Sequence, residues 1–329
     1  MIKSTKINKY PIILPKSKKS IPTPEHEYSL HGIFVVCGRR SSGKSVAVSS
    51  KLHHLKSEGL CDRVFLISPT AVSNTEMWSG LVEEDDIYEE MGNKSVLDII
   101  EKIKDEKRAW DEYLEQLQLW QEYKKLVRSK ASEEQDEEFL MKCCDLGFYD
   151  IDLKNPPESK YGHKPVLHLV VDDCQSSPLF QPSTKNKFLN LCIRHRHIAD
   201  GLGVTIWALI QNYSTQSGLP KSIRENCTVL LVFPIKDKEM VKQIQSECAG
   251  EVDEETFYKM FDYATAEKHS FLSIDFEAKK PEYRFRKKFN EFISEVDGAI
   301  FKSDDKIKNN EEHLDSTEQN KALKPTPKK

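Results

Sequence analysis

Long apolar runs are missing from this chain. No stretch of its 329 residues approaches the roughly 18 apolar positions that a membrane-spanning helix requires. The first thirty residues also lack the apolar core of a secretory signal, so the expectation is an intracellular protein with no membrane partner. Paired cysteine motifs are missing as well. Cys37, Cys61, Cys143, Cys144, Cys174, Cys192, Cys227 and Cys248 are scattered, with no CxxC pair and no histidine at zinc-finger spacing, so they read as reduced thiols, mostly core filler. A formal net charge of -4 gives no global attraction for nucleic acid, and any such contact must come from local patches.

What is present suffices for one substantial core or two small ones, with 38% hydrophobic and 31% charged residues. Three appendages surround it. Residues 1–28, rich in lysine and proline and without a sustained period, are expected to form a basic extended arm. Residues 303–329 hold almost no apolar side chains and are expected to be a disordered tail. Between about residues 93 and 145 a stretch without glycine or proline from Val96 to Lys130 repeats Val96, Ile100, Ile103, Trp110, Leu114 and Leu117 at spacings of three, four or, once, seven positions. This predicts a helix or helical hairpin standing largely in solvent.

The body of the chain, 29–302, alternates short apolar runs with helix-sized connections. GIFVVC, RVFLIS, VLHLVVDD, GVTIWALIQ and CTVLLVF are apolar on both faces, which predicts a mostly parallel sheet covered by helices on both sides. The class is α/β, of the doubly wound kind.

Gly38-Arg39-Arg40-Ser41-Ser42-Gly43-Lys44-Ser45 matches GxxxxGK[ST], follows the first of these runs and precedes a helical stretch ending at Gly59. Glycines let the backbone curl until its N–H groups point inward. The helix N-terminus adds its positive dipole end, Lys44 reaches the β and γ phosphates, and Ser45 helps hold magnesium. The pattern is a triphosphate cradle. Asp172 and Asp173 end the run VLHLVVDD, with Asp172 suited to the metal and Asp173 to orienting or deprotonating a water; a helix cap is the alternative. Gln211 ends the next run and can touch the γ-phosphate or its water if that strand lies between the other two; otherwise it is a surface glutamine. With no NKxD guanine-reading motif, ATP is favoured over GTP.

GRRSSGKS, VVDDCQ, the basic stretch Arg194-His195-Arg196-His197 and WALIQNYSTQSGLPKSIRENCTVLLVF together resemble the poxvirus-type genome-packaging ATPases of the FtsK/HerA superfamily, found across large DNA viruses and virophages. The similarity runs from about Gly32 to Pro234, and Gln211, Tyr213, Pro220, Ile223, Arg224, Asn226 and Phe233 fall in the family's order. The resemblance implies an additional-strand P-loop fold and a homo-oligomeric, hexameric ring. It further implies ATP- and magnesium-dependent movement of double-stranded DNA into a capsid, in the host cytoplasm at a virus factory or in association with the virion. Gln211 would be the polar sensor.

Ring ATPases need an arginine that reaches the neighbour's γ-phosphate. Arg194 and Arg196 flank a helix expected to begin near Ser183 and to bury Phe188, Leu191, Cys192, His195 and Ala199. These two arginines otherwise solvate its last turn. Arg224 is the third candidate, or a brace for the sheet. His168, His195 and His197 read as packing residues. For DNA phosphates the local basic clusters are Lys16, Lys18 and Lys19, and Arg284, Arg286, Lys287 and Lys288, with solvated charge as the alternative. A reading of another class stays open: a nucleotide-switched interaction protein in which ATP orders a docking surface.

Overall fold

The computed structural model describes residues 21, 23–129, 137, 141, 144–145, 155–213, 218–248, 252–296 and 299–302. In chain order they form β1 (Ile33–Cys37), α1 (Lys44–Ser57), β2 (Arg63–Ile67), α2 (Thr75–Trp78), β3 (Ile87–Tyr88), α3 (Asn93–Ser129) and β4 (Leu167–Val171). There follow α4 (Lys187–Arg194), the single turn α5 (Ile198–Gly201), β5 (Thr205–Ile210), α6 (Lys221–Glu225), β6 (Val229–Val232), α7 (Lys238–Cys248) and α8 (Glu254–Thr265). Strands β7 (Leu272–Asp275), β8 (Phe285–Lys287), β9 (Glu291–Val296) and β10 (Ala299–Lys302) complete a 10-stranded sheet.

The strand order is β10-β9-β8-β7-β6-β1-β5-β4-β2-β3. Strands β6 through β3 in that order pair in parallel, while β7 to β10 extend the sheet from β6 as antiparallel neighbours. The five apolar runs are β1, β2, β4, β5 and β6, and β5 lies between β1 and β4. The fold is therefore the expected additional-strand P-loop architecture. The antiparallel extension has no clear sequence signal, because β8, FRK, carries two cations and reads as surface.

Both faces of the sheet are covered, as uniformly apolar strands require. Ile33, Val35 and Cys37 point to the face that packs α3, α4, α7 and α8, and Phe34 and Val36 to the face that packs α1. Helix α1 ends at Ser57, and just beyond it Gly59, at φ 69°, takes the left-handed conformation while Leu60 N–H returns to the Leu55 carbonyl at 2.8 Å.

Three expectations change. The first turns of α3 are core: Val96, Ile99 and Ile103 are fully buried, whereas Leu97 and Leu114 are exposed. The stripe is helical as expected, but its start packs on the sheet instead of standing in solvent. Helix α4 begins at Lys187, where the Asn186 side chain caps the Phe188 and Leu189 N–H groups at 2.9 and 3.2 Å. Phe188, Leu191, Cys192 and His195 are its buried side, but the helix has ended before Ala199, whose φ is 48°. The expected arm also stops short of residue 28, since Tyr28 is buried and its hydroxyl lies 2.8 Å from Ser273 Oγ. Lys16, Lys18, Lys19 and the 303–329 tail lie outside the described residues.

Candidate functional site

Parallel strands that all point one way leave their carboxyl ends on one edge, and the loops there carry the candidate residues. Between β1 and α1 the chain turns through Ser41 at φ 61° and Gly43 at φ 101°. Gly38 is fixed by space: a Cβ there would stand 2.6 Å from Phe233 Cβ and 2.8 Å from Ser42 Oγ. Arg39, Arg40 and Ser41 are exposed on the outside of the loop.

Lys44 is buried, and its ammonium donates to the carbonyls of Gly38 at 2.8 Å and Arg39 at 3.2 Å. Burial pulls its pKa below the usual lysine value, and the charges of Asp172 and Asp173 oppose that shift. Ser45 Oγ donates to Asp172 Oδ2 at 2.6 Å, joining the start of α1 to the end of β4. Asp172 is buried, which raises its carboxyl above the ordinary aspartate value; the Ser45 hydrogen bond and Lys44 work the other way, and Asp173 adds to the rise. A cation between Ser45 and Asp172 would relieve this burial cost.

Other features fit a bound triphosphate. No side chain caps the N-terminus of α1 and no acidic residue stands in its first turn, leaving its N–H groups and dipole open to an anion. Ser42 Oγ is buried with no hydrogen-bond partner among the described residues. Those residues include no cluster of three or more His, Cys, Asp or Glu able to hold a metal ion. A magnesium site of one or two carboxylates completed by substrate phosphates has no such cluster.

Asp173, at φ 52° and exposed, and Gln211, at the end of β5, line one cavity of about 190 Å³ with Gln175, Ser176, Leu209 and Asn212. The strand order makes this possible by placing Gln211 between the phosphate loop and the acidic pair.

The arginines lie elsewhere. Val204 N–H donates to the His195 carbonyl at 3.0 Å, so the end of α4 sits at the start of β5. Arg194 and Arg196 are thus separated from the phosphate loop by the length of that strand, about 20 Å. Arg196 is ion-paired to Glu277, whereas Arg194 is exposed. Arg224 is turned inward: it pairs with Glu247 at 3.2 Å, donates to the Leu219 carbonyl at 3.2 Å and stacks on Tyr213.

The late basic cluster is largely tied into the fold. Arg286 is buried, pairs with Asp275 at 3.1 Å, donates to the His26 carbonyl at 2.9 Å and lies 4.0 Å from the Tyr28 ring centre. Lys287 and Lys288 both hold Glu267, and Arg284 lies over the Phe285 ring. His168 is a core residue: Trp207 Nε1 donates to its Nδ1 at 3.1 Å, which leaves Nε2–H to donate to the Leu60 carbonyl at 3.0 Å. His195 is buried with Nδ1 2.6 Å from the Cys192 carbonyl, and His197 is exposed.

Two residues beside the site escaped the sequence reading. His269, in the turn before β7, places Nδ1 3.0 Å from the Ser42 carbonyl and 3.1 Å from where a Gly43 Cβ would stand. Nothing in the sequence ties it to a loop more than 220 positions earlier. Gln175 belongs to VVDDCQ, where the sequence assigns it no role; its amide reaches the backbone at the end of β5.

No protein-family model matches the chain, and no curated protein matches it. Among solved structures it is similar to the genome packaging NTPase B204 from Sulfolobus turreted icosahedral virus 2 in complex with ATP-gammaS, at 14% identity over 78% of this chain and 96% of that one, with a TM-score of 0.41. It is also similar to the pCW3 conjugation coupling protein TcpA with ATPgS, at 14% identity over 74% and 57% of the two chains and a TM-score of 0.40. A third likeness is to EccC of Thermomonospora curvata, at 13% identity over 62% and 30% and a TM-score of 0.34. The functional reading rests on this chain's own residues.

Proposed function

We propose that this chain is an ATP-hydrolysing motor that works as a homo-oligomeric ring, a hexamer, and moves double-stranded DNA into a capsid, as the poxvirus-type packaging ATPases it resembles are expected to do. The observation that carries the ATPase part is the Ser45–Asp172 hydrogen bond across the end of an additional-strand sheet, with Gln211 inserted beside it. A P-loop serine, a strand-end aspartate and a polar strand end at one edge are the parts that phosphoryl transfer to water uses.

Each residue then has a task. The N–H groups of Gly38 to Ser45 and the start of α1 cradle the phosphates, and Lys44 leaves its loop carbonyls to meet the β and γ oxygens. Magnesium, held by Ser45 and Asp172, would neutralise charge on those oxygens. Asp173 accepts the proton of the attacking water, and Gln211 orients that water or the γ-phosphate. Of the three arginines, Arg194 is the best candidate to act on a neighbour. Arg196 and Arg224 already hold acidic partners, while Arg194 is exposed at the edge opposite its own phosphate loop. Only a neighbouring subunit could offer Arg194 a nucleotide.

The test is whether double-stranded DNA accelerates ATP hydrolysis, with a stimulation that weakens as salt rises because the grip is on phosphates. Hydrolysis that ignores DNA would favour the nucleotide-switched interaction protein, whose docking arm would be the outer half of α3, where Leu114 is exposed.

A further inference from the structure

The end of β5 raises an accounting question. Strand β4 pairs with β5 only as far as Val171 opposite Ala208, and β1 ends at Cys37 opposite Ile210, with Gly38 N–H taking the Ile210 carbonyl at 3.1 Å. Gln211 and Asn212 continue past both neighbours, so their backbone groups have no strand to pair with, yet Gln211 must hold a fixed position for its side chain to work on a phosphate or a water.

The Gln175 side chain meets that need. Its Oε1 accepts from Gln211 N–H at 2.7 Å and Asn212 N–H at 3.1 Å, and its Nε2 donates to the Asn212 carbonyl at 2.9 Å. One primary amide thus satisfies three backbone groups, much as a strand partner would. The loop that presents it is wound for the purpose. Asp173 and Ser176 have φ of 52° and 72°, Ser177 N–H closes on the Cys174 carbonyl at 3.0 Å, and buried Cys174 points its thiol at the Asp172 carbonyl at 3.2 Å. Gln175 therefore comes from the same tight loop as Asp173 and grips the same segment as Gln211, and all three line the 190 Å³ cavity.

We infer that Gln175 is a positioning residue that locks the water-handling side of the site: it holds Gln211 in register with Asp173, and transmits movement of the acidic loop to the end of β5. This inference rests on the ATPase reading above. It predicts that turnover, more than ground-state nucleotide binding, depends on Gln175, because its amide is engaged with the backbone of Gln211 and Asn212. The three backbone groups stand at the solvent edge, where water can replace the amide, so losing it should disorder the geometry more than the fold.

The experiment uses the full chain and the variants Gln175→Met, of similar length without hydrogen bonds, and Gln175→Asn, which keeps the amide on a shorter stem. Gln175→Met should lower kcat about 10- to 100-fold, the penalty for a misplacement on the order of 1 Å. The Kd for a non-hydrolysable ATP analogue should stay within about threefold of wild type. In a Gln211→Ala background the same change should cost almost nothing, since there is no sensor left to position. Full additivity in that double variant, or a Kd that weakens in step with kcat, overturns the inference, and wild-type turnover by both variants does the same. If either variant fails to fold, the other carries the test, and failure of both shows a structural rather than a positioning role. Turnover that is absent from the wild type, or that survives Lys44→Ala, instead removes the ATPase reading itself, and this inference with it.

Discussion

Helix α3 offers the sharpest quantitative test, because two of its aliphatic residues that look alike in the sequence differ completely in the fold. Ile103 is fully buried against the sheet, and Leu114, three turns further on, is 43% exposed. Truncating Ile103 to alanine removes three carbons, worth about 0.8 kcal/mol each in transfer alone, or roughly 2.4 kcal/mol. The unfilled space adds to that loss, so about 3 to 4 kcal/mol is expected within the 2–5 kcal/mol range of such truncations. Alanine is the better helix former, so propensity offsets a few tenths of that. Leu114→Ala should cost about 0.5 kcal/mol or less, as surface changes do. Urea unfolding of the two variants would read the difference directly from their midpoints at unchanged slope, and thermal midpoints should separate by roughly 6–12 °C, at about 2–4 °C per kcal/mol for a domain of 150–250 residues. Equal shifts for the two would refute the argument that α3 is split into a core half and an outer half. The split also means that replacing residues 93–145 by a flexible linker should unfold the core, because Val96, Ile99 and Ile103 leave with it.

The site yields its own expectations. Lys44→Ala should lose nucleotide affinity and turnover together, whereas Asp173→Asn should bind ATP with magnesium and turn over little; near-normal hydrolysis by the latter removes Asp173 from the mechanism. Arg194→Ala should keep ATP binding but lose about 10³- to 10⁵-fold in rate, and mixing it with Lys44→Ala should restore some activity through interfaces that pair one intact loop with one intact arginine. Co-assembled mixtures as inactive as their parts would end the shared-site proposal for Arg194. Burial lowers His168 from an ordinary 6.5 to about 4, so the unfolded chain binds its proton first as pH falls. The stability this neutral imidazole contributes is complete above pH 6.5 and is lost as pH falls toward 4, at up to about 1.4 kcal/mol per pH unit and about 3 kcal/mol in total. His168→Gln should therefore show a shallower decline than wild type over that window, and parallel curves would contradict the assignment.

Local pattern sufficed for five of the six parallel strands; the two-residue β3 is too short to show one. Five runs apolar on both faces have few options other than buried strands, and the GxxxxGK[ST] spacing is read by neighbouring residues whose geometry the backbone dictates over eight positions. The two aspartates at the end of β4 were legible for the same reason, since charge at the close of an apolar strand needs a use. What the sequence could not supply was pairing at a distance. The position of β5 between β1 and β4 requires it to pair with β1, more than a hundred residues earlier, as well as with β4, and it alone decides that Gln211 stands beside the phosphate loop. The helical period of α3 fixed its stripe, but a period does not say where along the helix the sheet stops covering it. Charge misleads in the RFRKKF segment, because Arg286 buries its guanidinium on Tyr28 and Asp275, partners set by the antiparallel extension and by residues 26–28, far away in the sequence. His269 reaches the site through one contact with the Ser42 carbonyl, and Gln175 through three hydrogen bonds to the backbone of Gln211 and Asn212. A main-chain carbonyl or N–H is the same in every residue, so only the tertiary structure decided which side chains they would meet.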